Sequence, residues 1–128
     1  MIYHTLPLNT PAMIIGPDEE SSSTFSIALR SAGYSPVLMH SGQEALRNLP
    51  SFLPAVVIID LYPPDTSVTE VIQYIRMEPH LEKTWIIVIT SEPAMAQALQ
   101  NVVDLVLIKP VSYTQLRDLA LRFRRSSA

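Results

Sequence analysis

The run Val56-Val57-Ile58-Ile59 stops abruptly at Asp60. Consecutive β-branched residues favour extended backbone. They leave such a strand apolar on both faces, so it needs cover on both sides. A parallel sheet between two helix layers supplies that cover, whereas a sheet with one wet face would alternate polar with apolar residues. The chain has the material for this core: 48% of its residues are hydrophobic and only 16% are charged, against a usual charged fraction of roughly 25%.

The rest of the sequence repeats the pattern. Ala12-Met13-Ile14-Ile15 is a short apolar run closed by Gly16-Pro17, a buried strand and its stop. Phe25, Ala28, Leu29 and Ala32 then recur at helical spacing, and Gly33 follows as the terminating residue. Asp18, Glu19 and Glu20 fall at the start of this helix, where the macrodipole favours negative charge. Pro36 to Met39 reads as the second strand. Ser41 and Glu44 make a capping box for a helix through Ala45, Leu46 and Leu49. Val68, Val71, Ile72 and Ile75 mark a third helix that ends before Pro79. Ile86 to Ile89 is the fourth strand, Pro93 to Gln100 a short helix, and Val102 to Ile108 the fifth strand. Leu116, Leu119, Ala120 and Phe123 give the last amphipathic helix.

Residues 1–11 read as an irregular arm, 12–125 as one domain and 126–128 as a tail. Strict alternation of strands and helices predicts an α/β fold. The expected form is a flavodoxin-like, doubly wound, five-stranded parallel sheet of order 2-1-3-4-5.

Composition excludes several functions. Nine Lys and Arg against twelve Asp and Glu give a net charge of -3, which argues against direct nucleic-acid binding by phosphate neutralisation. There is no cysteine, hence no disulfide, thiolate metal site or cysteine nucleophile. No apolar run approaches the ~18 residues of a membrane span. Met1 to Pro11 does not read as a signal peptide, so the expected location is the cytoplasm. His4, His40 and His80 are scattered without metal-ligand spacing.

In a sheet of this kind, sites form outside the carboxyl ends of the strands. Three strands end in reactive residues: Asp60, Thr90 and Lys109. A carboxylate, a hydroxyl and an ammonium at one sheet edge can make a phosphoryl-acceptor site. The carboxylate is the nucleophile, and the other two hold phosphoryl oxygens. Each residue also has a structural reading: Asp60 as a turn residue, Thr90 as a cap for the following helix, Lys109 as a plain ion-pair partner of Asp60.

These residues, in this order, resemble the response-regulator receiver domain (CheY-like) of two-component signalling. The likeness covers residues 12–125. It rests on Pro54 to Pro64, with Asp60 and the Pro four positions on, Ile86 to Ser91, and Ile108-Lys109-Pro110. Ala32-Gly33-Tyr34 and Gly42-Gln43-Glu44-Ala45-Leu46 also match. The resemblance implies that Asp60 accepts a phosphoryl group from a sensor histidine kinase or phosphotransfer protein, with Thr90 and Lys109 on the phosphate oxygens. It implies a cis peptide before Pro110. It also implies one Mg²⁺, held by Asp60, the Tyr62 backbone carbonyl and an acidic pair after the first strand. An output protein or a second copy would dock on the face built by the fourth helix, fifth strand and fifth helix. Such a domain is a signalling phosphoprotein, and its only chemistry is self-catalysed phosphoryl transfer.

The sequence departs from this family in four places. Gly16-Pro17 stands where the acidic pair belongs, leaving Asp18 as the nearest carboxylate, so Mg²⁺ is expected to bind weakly. Val68 replaces a usual Gly, Val106 replaces the usual switching aromatic, and the segment from Thr90 to Lys109 is short. These changes point to an alternative, a pseudo-receiver that binds partners without regulated phosphorylation. A remoter alternative is a flavin-binding electron carrier with Ser21-Ser22-Ser23-Thr24 as its phosphate loop; that run has no Gly and follows three acidic residues. The basic residues Arg117, Arg122, Arg124 and Arg125 read first as cations placed toward a helix C-terminus, and second as a partner contact.

Overall fold

The strands of the computed structural model all run parallel, in the order β2-β1-β3-β4-β5. The structure describes residues 9–16, 19–61 and 67–126. Along the chain lie β1 (Thr10–Ile15), α1 (Glu19–Ser31), β2 (Tyr34–Met39), α2 (Gly42–Asn48) and β3 (Val56–Leu61). Then come α3 (Ser67–Met77), β4 (Trp85–Thr90), α4 (Pro93–Leu99), β5 (Leu105–Ile108) and α5 (Tyr113–Ser126). The fold class and strand order are those expected from the alternation.

Both faces of the sheet are covered, as the run in β3 demands. Val56 and Ile58 pack with Ile14, Phe25, Leu29, Leu116 and Ala120, under α1 and α5. Val57 and Ile59 pack with Met13, Ala45, Val71, Ile75 and Val88, under α2 and α3. The alternation of side chains along an extended strand divides the core this way.

The helix ends follow local chemistry. Gly33 has φ 92° and closes α1 as foreseen, because an L side chain resists that conformation. Ser41 Oγ accepts the Glu44 N–H at 3.1 Å. The return arm of the box differs: the Glu44 carboxylate accepts from the His40 N–H, at 2.9 Å.

Several expected boundaries shift: β2 begins at Tyr34 rather than Pro36, β3 runs one residue past Asp60 to Leu61, and β4 spans Trp85–Thr90. β1 begins at Thr10 rather than Ala12, so the last two residues of the expected arm lie in the sheet. Pro11 is tolerated because β3 pairs only from Ala12 onward, so its missing N–H interrupts no ladder on that side. β5 starts at Leu105, not Val102. The Val102 and Val103 N–H groups both donate to the Leu99 carbonyl, at 3.0 and 3.2 Å, and make a tight turn after α4. Val103 is buried from within that turn, so its apolar character did not require a strand. At the other end, α5 runs through Ser126, one residue into the expected tail.

Gly42 opens α2 against the start of α3. A Cβ on Gly42 would lie 2.9 Å from the Ser67 carbonyl carbon and still nearer its Oγ. Gly42→Ala is therefore expected to cost about 2 kcal/mol, since backbone rather than a flexible side chain must yield. Urea unfolding beside the exposed control Gln43→Ala measures this. Equal midpoints for the two variants would show that the helices part without cost.

Candidate functional site

Parallel pairing sets three strand ends side by side. Leu61, next to Asp60, is in register with Thr90, and Thr90 with Ile108. The Lys109 N–H donates to the Thr90 carbonyl at 2.9 Å, which holds the end of β5 against the end of β4. The Lys109–Pro110 peptide is cis.

Asp60 continues the alternation of Val56 and Ile58, so its side chain faces the layer that holds α1. That side chain is only 1% exposed, and its Oδ1 lies 2.6 Å from Lys109 Nζ. A carboxylate this deep is costly unless a cation accompanies it, and Lys109 is that cation. The ion-pair reading of Lys109 and the site reading are thus compatible. Oδ2 has no hydrogen-bond partner among the described residues.

Thr90 is buried, and its Oγ1 accepts the Glu92 N–H at 3.1 Å. It therefore does shape the entry to α4. A hydroxyl that accepts one bond keeps its own proton to donate. A buried carboxylate, an ammonium and a hydroxyl stand at one edge of the sheet.

The α1 side of the carboxylate was not foreseen. Gly16 follows β1 and donates its N–H to the Met39 carbonyl at 2.9 Å. A Cβ built on Gly16 would lie 3.1 Å from Asp60 Cβ and 3.2 Å from Ser22 Oγ. Ser22 is 1% exposed, on the same buried stripe of α1 as Phe25 and Leu29. The signal was available: a serine three residues before Phe25 belongs to the apolar face, where a hydroxyl needs a reason.

Two metal-ligand positions, Asp18 and the Tyr62 carbonyl, lie outside the described residues. Among the described residues no cluster of acidic or histidine side chains could hold a metal ion. Asp60 Oδ1 already faces an ammonium, and Gly16 has no side chain to offer. Of the implied ligands the structure thus describes only the Asp60 carboxylate, for an ion that wants hard oxygens in octahedral array.

Other readings also resolve. Ser21 to Thr24 lie inside α1, not in a loop, so they do not form the phosphate cradle a flavin would need. Arg124 turns inward: its Nη1 donates to Thr10 Oγ1 at 3.0 Å and to the Gly33 carbonyl at 3.3 Å. Arg117 pairs with Asp118 at 3.1 Å. Arg124 is thus a clamp between α5 and the start of the sheet, not a docking cation.

No family model and no curated protein matches the chain. Solved structures do match it. The chemotaxis response regulator CheY4 of Vibrio cholerae superposes with a TM-score of 0.77 at 24% identity, over 89% of this chain and 98% of that one. The fold is that of a response-regulator receiver domain. A CheY-like receiver domain from Methylobacillus flagellatus gives a TM-score of 0.76 at 22% identity, over 89% and 98% of the two chains. The signal receiver domain of a signal transduction histidine kinase from Syntrophus aciditrophicus gives 0.78 at 21% identity, over 91% of each. The receiver fold accounts for the strand order, and its sheet edge holds the Asp60 site.

Proposed function

We propose that this chain is a receiver module of two-component signalling, with Asp60 as the phosphoacceptor. The observation that carries the reading is the Asp60 carboxylate, buried at the end of β3 and neutralised by Lys109 Nζ at 2.6 Å. The donor is a phosphohistidine of a sensor kinase or phosphotransfer protein. An Asp60 oxygen attacks phosphorus, the P–N bond breaks, and the imidazole leaves with the electron pair and takes a proton from solvent. Lys109 and Thr90 hold the oxygens on which charge develops. Mg²⁺ binds weakly.

The docking face for an output protein or a second copy is α4, β5 and α5, where Met95 and Ile108 are exposed. Val106 is half-buried against the core under α2 and α3. A small β-branched side chain held in one rotamer has no ring to swing, so this face responds little to Asp60. No helix among the described residues is long and apolar enough to cross a membrane.

The test is labelling with a small phosphodonor, acetyl phosphate, in the presence of Mg²⁺. The wild type is expected to gain one phosphoryl group by intact mass, and Asp60→Asn none. Equal labelling of both proteins would place the modification elsewhere. A wild type that never labels leaves the phosphorylation-independent interaction module, the reading that Gly16 and Val106 favour.

A further inference from the structure

The two edges of the sheet differ. An edge strand offers N–H and C=O groups that invite a further strand unless something blunts it. At the β2 edge, the Gly16 N–H donates to the Met39 carbonyl and the Thr10 N–H to the Gly33 carbonyl. The odd-numbered residues of β2 therefore turn their backbone groups toward β1, and the even-numbered ones turn theirs outward. Pro36 is in the outward set, so its missing N–H lies on the free edge. Farther along, the His40 N–H is taken by the Glu44 carboxylate at 2.9 Å. At the β5 edge, the Lys109 N–H donates to the Thr90 carbonyl at 2.9 Å. The same alternation turns Leu107 toward β4 and turns the backbone groups of Val106 and Ile108 outward. No described strand pairs with β5 on that side, and neither outward residue is a proline.

The side chains on this edge fit their own copy. Ile108 projects and is 46% exposed. Two residues back, Val106 lines a groove of about 500 Å³ between α4 and β5, together with Pro93, Ala96 and Gln100. Val106 and Ile108 lie on the same face of the strand. A two-fold axis through Leu107 sets two copies of β5 antiparallel. Each Val106 then opposes the other copy's Ile108, as a pair that exchanges both backbone hydrogen bonds. Each Ile108 side chain enters the other copy's groove. One strand thus carries a projecting side chain and a receiving groove at the spacing a two-fold contact needs. Charge agrees with this occupant. Neither α4 nor β5 holds a charged residue, so a chain of net charge -3 meets itself there without like-charge repulsion. Asp104, at the rim of the groove, is paired with Arg76 at 2.9 Å.

We propose that two copies of this chain join through their β5 edges, antiparallel about Leu107, into one sheet that runs across both. This rests on the reading of α4, β5 and α5 as the docking face. It names a second copy as the occupant and backbone hydrogen bonds, not helix faces, as the contact. Assembly stops at two. Pairing uses up both β5 edges and leaves a β2 edge with its Pro36 at either end of the joined sheet. α4 and β5 have seven and four residues, against the roughly 20–30 a side of a standard interface, so the dimer is weak.

Sedimentation velocity over roughly 10 µM to 1 mM protein reads the association. The wild-type mass should rise from that of one chain toward that of two, and no further. Ile108→Glu puts a charge into the groove. Val106→Pro removes an outward N–H, as Pro36 does in β2. Each should weaken the dimer by about tenfold or more, and Ile27→Glu, on the exposed side of α1, should leave it unchanged. Urea unfolding checks that the variants fold. A second measurement needs no variant: amide hydrogen exchange of the wild type by NMR. The Val106 and Ile108 N–H groups should gain protection as concentration rises, while the Leu107 N–H is protected throughout. A wild type that stays monomeric overturns the inference and leaves the face to an output protein. A dimer that Ile108→Glu breaks, but that forms without added protection at Val106 and Ile108, also overturns it and keeps the docking face. A dimer that survives both Ile108→Glu and Val106→Pro overturns the inference and the placing of that face for a second copy.

Discussion

Lys109→Ala is expected to destabilise the protein by about 3 kcal/mol, because it strands a buried carboxylate. The Asp60 side chain is 1% exposed and Lys109 Nζ lies 2.6 Å from it, so water cannot take over from the ammonium without opening the sheet edge. Lys109 itself is 25% exposed. Removing the other partner should therefore cost less: in Asp60→Asn the ammonium can turn toward solvent. The double variant Lys109→Ala with Asp60→Asn should regain most of what Lys109→Ala loses. A double-mutant cycle by urea unfolding reads this coupling. If Lys109→Ala costs the same in both backgrounds, the pair is not what holds Asp60 in the fold.

Cutting into β3 should have a comparable effect on either face. Ile58 and Ile59 are adjacent in sequence and both fully buried. Ile58 faces the core under α1 and α5, and Ile59 the core under α2 and α3. Each Ile→Ala change is expected to cost about 3 kcal/mol, from lost burial plus the cavity left in a packed layer. The two sites share no packing partners across the sheet. The milder pair Ile58→Val and Ile59→Val should then add, at about 1 kcal/mol each. Strong coupling between them would mean that the layers relax as one core, against the division seen here.

Much of the architecture was legible because burial imposes a period. A strand covered on both faces can hold only apolar residues, so Val56 to Ile59 and Ile86 to Ile89 declared themselves. Helices with one buried stripe did the same through Phe25, Ala28 and Leu29, and through Val68, Val71, Ile72 and Ile75. Where two rules give the same residue, the sequence misleads. Val102 and Val103 looked like strand because they are β-branched, yet Val103 reaches the core from a turn. Arg124 looked like a surface cation, but its side chain is spent on Thr10 and Gly33, more than ninety residues away in the chain.

The site divides along the same line. Asp60, Thr90 and Lys109 could be placed at one edge from the sequence alone, because each is a polar residue at or beside the end of an apolar strand, and parallel strands end together. The length and order of the repeats settled that three such residues share an edge. Nothing in the sequence said that Lys109 Nζ lies 2.6 Å from Asp60 Oδ1, since that depends on how β5 leaves the sheet. Nor did it say that Ser22 and Asp60 both lie against Gly16. Ser22 and Asp60 both close on Gly16, where a side chain would be crowded, because α1 packs over β1 and β3. Periodicity tells which way a residue points within its own element. The partner it meets across two elements is decided only when those elements dock.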